Sequence, residues 1–166
     1  RFSCGKRFVL EKKRMISEKD IIPVVSDQQD ELVGLWELSV RATHHFLTDA
    51  DIKMLKPLVK EYLGKVEKLL CICNEQGGAE AFMGVHGNKL EMLFVHPRSR
   101  GKGLGKTLVN YAIRVLGINE VDVNEQNPLA IGFYEHLGFQ VYDRSARDGQ
   151  GNPFPLLHLR LKRMDN

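Results

Sequence analysis

The fold of this chain is decided by residues 93–105, whose sequence is Leu-Phe-Val-His-Pro-Arg-Ser-Arg-Gly-Lys-Gly-Leu-Gly. An apolar run, typical of a β-strand, leads through a proline into three alternate glycines, and a helical pattern follows them. Glycines let the backbone approach an anion closely, and the unpaired N–H groups at the start of a helix point toward it. The segment therefore predicts a strand, an anion-binding turn and a helix in succession.

Two common phosphate-binding loops fail to match this turn, each by one residue. A P-loop requires Gly-x-x-x-x-Gly-Lys-Ser/Thr, and Arg100 stands where its first glycine is needed. A Rossmann fingerprint requires a third glycine at the position of Lys106. These loops depend on register, so both nucleotide-binding motifs are disfavoured. A glycine turn that merely starts a helix is the other alternative, and the strand before it and Arg100 within it argue against that.

Two separate motifs resemble one enzyme family. The pattern Arg-x-x-Gly-x-Gly, formed by Arg100, Gly103 and Gly105, resembles the coenzyme A signature of the GNAT superfamily of N-acetyltransferases. Residues 127–139, which begin with Asn-Pro and contain Tyr134, resemble the later helix of that family. The order of elements over residues 15–166 is also similar. Shorter stretches look like the YjaB-type bacterial acetyltransferases, namely 42–44, 123–127 and 153–157.

Hydrophobic periodicity predicts an α/β domain with a mixed sheet. The resemblance implies a GNAT-like α+β fold, with a mixed and mostly antiparallel central sheet flanked by helices, as a single N-acetyltransferase domain over residues 15–166. The predicted strands are 21–25, 69–73, 81–86, 89–95, 119–123, 139–143 and 156–161. The predicted helices are 28–43, 49–63, 103–117 and 127–137.

Polar residues and prolines predict how several of these elements begin or end. Asp27 is expected to cap the first helix, and Thr48 or Asp49 the second. Pro57 is expected to kink or divide the second helix, and Pro23 favours an edge position for the first strand. The buried stripe predicted for the helix after the glycines is Leu104, Leu108, Ala112, Val115 and Leu116.

The resemblance implies that acetyl-coenzyme A is the cosubstrate. Its pyrophosphate would be bound by backbone N–H groups of the glycine turn, namely Arg100, Gly101, Lys102, Gly103, Leu104 and Gly105. Leu93, Phe94 and Val95 would pair through their main chain with the pantetheine arm, almost as an added strand. A bulge in that strand would free an N–H for the acetyl carbonyl. Asn127 would hydrogen-bond the pantetheine, and Asn124 would be either a second such residue or a turn residue.

The resemblance also indicates Tyr134 as the general acid. A thiol has a pKa of about 8.5 and a tyrosine of about 10, so a tyrosine beside the sulfur is protonated at neutral pH and can donate to the leaving thiolate. The alternative for Tyr134 is a half-buried aromatic residue. Glu91 is the candidate base, and its alternation with Leu90 and Met92 predicts that it points away from their side of the sheet. A charged side chain on an open sheet face is the alternative for Glu91.

Four histidines lie near these motifs. His44 and His45 end the first helix, where this family often builds its acceptor pocket, so each is a candidate for substrate contact or for the base. An isolated surface histidine is the commoner case. His96 and His136 are expected to be neighbours of the motifs without a chemical role.

The net charge of +3 is misleading, because the first fourteen residues contain six basic side chains and one acidic one. From Met15 on the chain carries −2, so no basic excess is left to bind nucleic acid. Residues 1–14 are expected to be a tag or other non-native extension. A basic targeting or interaction arm is the alternative.

No apolar run is long enough for a transmembrane helix, so the protein is predicted to be cytoplasmic, with no membrane partner. The three cysteines, Cys4, Cys71 and Cys73, have no second Cys/His pair at zinc spacing. Reduced, buried thiols are therefore expected, and no metal.

The leading functional hypothesis is direct attack of a primary amine on acetyl-coenzyme A. The amine would belong to a small metabolite, an antibiotic-like molecule or a peptide. The alternative is a catalytically silent coenzyme A-binding sensor or regulatory module, which would not need an acid such as Tyr134 at the sulfur. No sequence pattern selects an oligomeric state, and a homodimer is an open alternative.

Overall fold

The computed structural model describes residues 15–163. The prediction for residues 1–14, and with it Cys4, lies outside the described residues. Within them four α-helices and seven β-strands follow one another: β1 Ile21–Pro23, α1 Gln29–Thr43, α2 Asp49–Leu63, β2 Lys68–Cys73, β3 Ala79–His86, β4 Lys89–Val95, α3 Leu104–Arg114, β5 Glu120–Asn124, α4 Pro128–His136, β6 Phe139–Ser145 and β7 Leu156–Leu161. None of these helices is long and apolar enough to cross a bilayer.

The seven strands form one sheet in the order β1-β2-β3-β4-β5-β7-β6. Neighbouring strands are antiparallel except β4 and β5, which are parallel. The prediction of a mixed, mostly antiparallel sheet flanked by helices is confirmed. Pro23 lies on the edge strand as predicted, since an edge strand tolerates a missing N–H on its outer side.

Helices cover the two faces of the sheet. α3 and α4 pack on one face, above buried residues such as Met83 and Leu90. α1 and α2 pack on the other, above Phe82 and Met92. Burying an apolar side chain of this size contributes about 1.5–3 kcal/mol, so the two layers hold the strands in register.

β4 and β5 pair at two positions only, Lys89 with Glu120 and Leu90 with Val121. β4 nevertheless stays paired with β3 on its other side to its last residue, Val95. The outer part of β4 therefore faces β5 without strand pairing. This divergence opens the sheet just before the glycine turn that follows β4.

A β-bulge at Glu91 interrupts the alternation of β4. Met92 pairs with Gly84 and Leu90 with Val85, which leaves Glu91 without a partner on β3. Leu90 consequently belongs to the core on the α3 side, and Met92 to the core on the α1 side. The prediction that Leu90 and Met92 lie on the same side of the sheet was wrong. The extra residue of the bulge moves every later side chain of β4 to the opposite face.

The capping residue predicted for α2 is found in the structure, and the one predicted for α1 is not. A 3₁₀ turn, Ser26–Gln28, leads directly into α1, and Asp27 lies inside that turn without capping the helix. Thr48 does cap α2: its Oγ1 accepts the N–H of Asp51 at 3.1 Å, and the Asp51 carboxylate accepts the N–H of Thr48 at 2.8 Å. Pro57 does not divide α2, because it is exposed and water can bind the carbonyl that it leaves unpaired.

The buried stripe of α3 departs from the prediction near its C-terminal end. The buried residues of this helix are Leu104, Leu108, Val109 and Ala112. Val115, predicted to be among them, is 50% exposed. The reason is that α3 ends at Arg114 and the chain turns away through Gly117, which has a left-handed φ of 72°.

Candidate active site

A cleft of about 420 Å³ lies where β4 and β5 separate. Of the residues predicted for the site, it is lined by His44, Leu93, Phe94, Val95, Arg100, Gly101, Gly103, Leu104, Gly105, Asn127 and Tyr134. Lys102 and His45 are exposed and do not line the cleft, and Glu91 lies in an adjoining gap. The fold thus brings together most of two motifs that are more than twenty residues apart in sequence.

The cleft also has lining residues that no sequence motif indicated. They are Ser39, Thr43, Ser99, Leu129, Ala130 and Phe133, and all but Ser39 lie in stretches that drew attention for other residues. Ala130 lies three residues after Asn127 and four before Tyr134, so the helical period carried a signal for it. Ser39 and Thr43 come from α1, and no local pattern predicts that α1 meets this cleft.

The glycine turn presents an open helix end to the cleft. Gly101 and Gly103 have left-handed φ angles of 75° and 79°, which residues with a Cβ rarely adopt. Gly103 is the N-cap of α3, and no side chain in residues 15–163 caps that end. The first N–H groups of α3 therefore have no helical partner. Together with the positive end of the helix dipole, such N–H groups are suited to bind an anion.

Gly105 allows α3 to pack closely on α4. A Cβ built on Gly105 would lie 3.4 Å from Cζ of Phe133 and 3.8 Å from Cγ2 of Val95. These are ordinary van der Waals distances, so a side chain longer than alanine would require Phe133 or Val95 to move. The third glycine of the turn therefore serves packing, whereas Gly101 and Gly103 serve backbone conformation.

The main chain of Leu93–Val95 pairs with β3 on one side only, and these residues line the cleft. The bulge predicted within this segment lies earlier, at Glu91. The segment is therefore regular extended strand, and its unpaired N–H and C=O groups arise because β5 has diverged. An extended ligand arm can pair with such an edge as an added strand.

Tyr134 lies on α4 with 6% of its surface exposed. Its ring packs edge-on against Phe133 and Phe139, with centroids 5.1 and 5.8 Å away. Burial raises the pKa of Tyr134 above its ordinary value of 10. Tyr134 thus lines the cleft, and its hydroxyl is protonated at neutral pH.

The two asparagines have different positions. Asn127 is the N-cap of α4, and its Oδ1 accepts the N–H of Ala130 at 3.3 Å while the residue lines the cleft. Asn124 ends β5, and its Oδ1 accepts the N–H of Gln126 at 2.8 Å. Asn124 thus makes a turn contact, and it also lines the gap between β4 and β5.

His44 is the histidine that α1 brings to the cleft. Its Nδ1 lies 2.7 Å from Oγ1 of Thr43, and its ring centroid lies 5.4 Å from that of Phe46. Burial, with smaller effects from the charges of Arg100 and His45, lowers the pKa of His44 from 6.5 to about 4. His44 is therefore neutral at pH 7.

The lowered pKa of His44 predicts a pH-dependent contribution to stability. Because the folded pKa is about 4 and the unfolded value 6.5, this contribution is complete above pH 6.5 and is lost as the pH falls toward 4. Over that range the wild type is expected to lose on the order of 1–3 kcal/mol more unfolding free energy than His44→Gln. Urea denaturation of both proteins measures the difference. Equal losses in the wild type and in His44→Gln would show that folding does not lower the pKa of His44.

His96 and His136 are structural neighbours of the site. Nδ1 of His96 accepts the N–H of Arg98 at 3.1 Å and caps the 3₁₀ turn Pro97–Ser99. His136 is exposed at the end of α4. Neither lines the cleft.

Glu91 borders two further spaces. One is a gap of about 120 Å³ between β4 and β5, which shares Tyr134 and Asn127 with the cleft. The other is a groove of about 410 Å³ beside α2, lined by Tyr62 among others. Burial, and then the charge and hydrogen bond of Glu91, raise the pKa of Tyr62 to about 12. The bulge therefore puts a carboxylate where the groove and the gap meet.

The cysteines and acidic residues of the described chain form no metal centre. No group of His, Cys, Asp or Glu side chains in residues 15–163 is arranged to hold a metal ion. Cys71 and Cys73 have their sulfurs 3.8 Å apart on β2. Burial, followed by the neighbouring Cys73, raises the pKa of Cys71 to about 12, so its thiol is inert at neutral pH.

Comparisons with known proteins identify the family and the fold. Residues 66–141 match the family model of the acetyltransferase (GNAT) domain. The peptidyl-lysine N-acetyltransferase YjaB of Salmonella typhimurium is 38% identical over 133 residues, which make up 80% of this chain and 91% of that protein. The solution structure of apo-form YjaB from Escherichia coli matches with a TM-score of 0.77 and 38% identity, over 84% of this chain and 95% of that one. The PaiA N-acetyltransferase of Thermoplasma acidophilum, solved in complex with coenzyme A, shares the fold with a TM-score of 0.67 at 21% identity, over 86% and 98% of the two chains.

Proposed function

Because the chain belongs to the GNAT family of acetyltransferases, we propose that it transfers the acetyl group of acetyl-coenzyme A to the side-chain amine of a lysine in a peptide or protein. The family's enzymes use acetyl-coenzyme A, and relatives at 38% identity are named peptidyl-lysine N-acetyltransferases. One observation carries the proposal. A single cleft joins an open helix end to a tyrosine hydroxyl along an unpaired strand edge.

The cleft residues fit the parts of coenzyme A. The open end of α3 and the Gly101–Gly103 backbone suit a pyrophosphate, and Arg100 adds positive charge at the same place. The free edge of Leu93–Val95 suits the amides of an extended pantetheine arm. Asn127 uses its Oδ1 as a helix cap, so its amide N–H groups remain as donors for a pantetheine carbonyl. Acetyl-coenzyme A, when bound, supplies the thioester.

Tyr134 is assigned to the sulfur of that thioester. Its raised pKa keeps the proton on the hydroxyl, so it approaches the developing thiolate as a donor. A thiol, with a pKa of about 8.5, is a stronger acid than the tyrosine hydroxyl. A hydrogen bond from Tyr134 to the thiolate is therefore favoured over complete transfer of the proton. Packing between Phe133 and Phe139 keeps the ring in one orientation, which is what such a donor requires.

Glu91 is assigned to the acceptor side. A lysine amine has an ordinary pKa of 10.4, so fewer than about one in a thousand is neutral at pH 7 and a base is required. Glu91 lines the gap that also contains Tyr134, so its carboxylate can take the proton directly or through water. Main-chain N–H groups of the free strand edge would hold the oxyanion.

The different-class alternative is a coenzyme A sensor without turnover. A sensor would bind the pyrophosphate at the same place as the enzyme. It would not need an acid such as Tyr134 or a base such as Glu91 beside the thioester. Turnover, rather than binding, therefore separates the two functions.

Acetyl-coenzyme A at a hundred times its dissociation constant is expected to stabilise the protein by about 2.7 kcal/mol, which is about 5–10 °C in melting temperature for a chain of this size. Thiol release should then appear when a lysine-containing peptide is added. ATP at the same concentration is the control and is expected to leave the melting temperature unchanged. Stabilisation by ATP alone would contradict the proposed donor site, and stabilisation without thiol release from any peptide tested would favour the sensor.

A further inference from the structure

Four side chains on the sheet form a hydrogen-bonded row that the proposed mechanism leaves unused. Nδ1 of His158 lies 2.6 Å from Oδ1 of Asp122, and Nε2 of His158 lies 2.6 Å from Oγ of Ser145. The other carboxylate oxygen of Asp122 accepts Nζ of Lys89 at 2.5 Å. An ionised carboxylate only accepts hydrogen bonds, so Nδ1 of His158 is the donor to Asp122, and Nε2 of the same ring is hydrogen-bonded to the Ser145 hydroxyl. The row fixes the orientation of Asp122.

Asp122 stands at the point where the sheet opens. It is the first residue of β5 beyond the last pair with β4, Leu90 with Val121. Its cross-strand partner on β7 is His158, which supports it from the side away from β4. Asp122 lines the same gap as Glu91 and Tyr134.

The gap has the chemistry that a lysine side chain requires. Apolar residues contribute much of its wall, including Leu90, Met92 and Val123, which suits an aliphatic stem. Asp122 is 22% exposed on its side chain, so its carboxylate is shielded without being closed off. Each carboxylate oxygen of Asp122 already accepts one hydrogen bond and has capacity for another.

The charges near this gap favour a cation. Glu91 and Asp122 line it, and Lys89 is the one ammonium within hydrogen-bonding distance of Asp122 among the described residues, so these three groups together carry one negative charge. His44, which also lines the gap, is neutral at pH 7. Arg100 lines the cleft but not the gap.

We infer that Asp122 binds the ammonium group of the acceptor lysine and selects a cationic amine over a neutral one, with His158 and Ser145 as positioning residues. The inference rests on the proposed function, because it concerns the acceptor of the same reaction. The two carboxylates have different roles. Asp122 binds the cationic amine, and Glu91, on the bulge, accepts its proton.

The test compares two acceptor peptides of the same shape. One contains lysine, and the other contains its aminooxy isostere, whose terminal –O–NH2 group is uncharged at neutral pH. Thiol release gives kcat/KM for each peptide, and the quantity measured is their ratio. Asp122→Asn is the test variant. Glu120→Gln is the matched control, because Glu120 lies two residues earlier on β5 and does not line the gap.

Asp122→Asn is expected to lower the lysine-to-aminooxy ratio at least tenfold, which corresponds to about 1.4 kcal/mol, chiefly through a higher KM for lysine. Glu120→Gln is expected to keep the wild-type ratio. His158→Phe, which removes one donor to Asp122, is expected to lower the ratio by a smaller factor, and it provides the test if Asp122→Asn does not fold.

Each other outcome has a definite meaning. An equal loss of kcat/KM on both peptides would show that Asp122 is merely structural, and an unchanged kcat/KM on both would show that it does not recognise charge. Either result overturns the inference and leaves the proposed function intact. If the wild type uses neither peptide while acetyl-coenzyme A still raises its melting temperature, the lysine transferase proposal fails and this inference fails with it.

Discussion

Gly103→Glu is expected to abolish coenzyme A binding. Gly103 has a left-handed φ of 79° as the N-cap of α3, and a residue with a Cβ costs about 1–2 kcal/mol in that conformation. The new carboxylate would also stand at the open N–H groups that the pyrophosphate is proposed to use. A like charge about 5 Å away costs about 3 kcal/mol at an effective dielectric constant of 20. The combined effect predicts at least a hundredfold weaker binding by calorimetric titration.

Two further variants separate the contributions to this effect. Gly103→Ala carries the backbone strain without the charge, so it is expected to bind more weakly than the wild type and much more tightly than Gly103→Glu. Gly77→Glu is the matched control, because Gly77 also has a left-handed φ, of 85°, but lies in the β2–β3 turn away from the cleft. Wild-type affinity in a folded Gly103→Glu protein would place the pyrophosphate elsewhere.

Tyr134→Phe is expected to lower kcat at least tenfold and to change coenzyme A affinity little. The variant keeps the ring that packs against Phe133 and Phe139 and removes only the hydroxyl. General acid catalysis contributes typically 10²–10⁴-fold, and a donor that only hydrogen-bonds the thiolate lies at or below the lower end of that range. Steady-state kinetics with a lysine peptide, together with a coenzyme A titration, measure the two quantities.

The control for Tyr134→Phe is Tyr111→Phe, because Tyr111 lies on α3 and does not line the cleft. Its turnover is expected to equal that of the wild type. If Tyr134→Phe also turns over at the wild-type rate, Tyr134 is a packing residue and another group must meet the leaving thiolate.

The strand, the glycine turn and the later helix were predicted from local signals, and the structure confirms them. β4 spans Lys89–Val95 as predicted, because the Gly-Asn turn before it and the proline after it are signals within the segment itself. α4 begins at Pro128 with Asn127 as its cap, since a proline suits the first helical turn and an asparagine satisfies an unpaired N–H there. Such features need no knowledge of distant residues.

Elements that depend on distant partners were predicted less well. The bulge at Glu91 is defined by pairing with β3, and the local sequence of β4 contains no sign of it. Val115 had the correct period for a buried position, but α3 ends before it. The helical period predicts which side of a helix is apolar, and it does not predict how much of that side the sheet covers.

For the candidate site, the sequence by itself indicated an anion-binding turn, because glycines before a helix are a local signal, and its resemblance to a family suggested the diphosphate and the tyrosine proposed to act on a thioester. Only the tertiary structure decided that His44 reaches the cleft while His45 and Lys102 do not, and that Asp122 meets His158 across two strands 36 residues apart. The physical reason is that backbone conformation and capping are local energies. The meeting of side chains instead depends on where strands pair, where they part, and how the helices cover them.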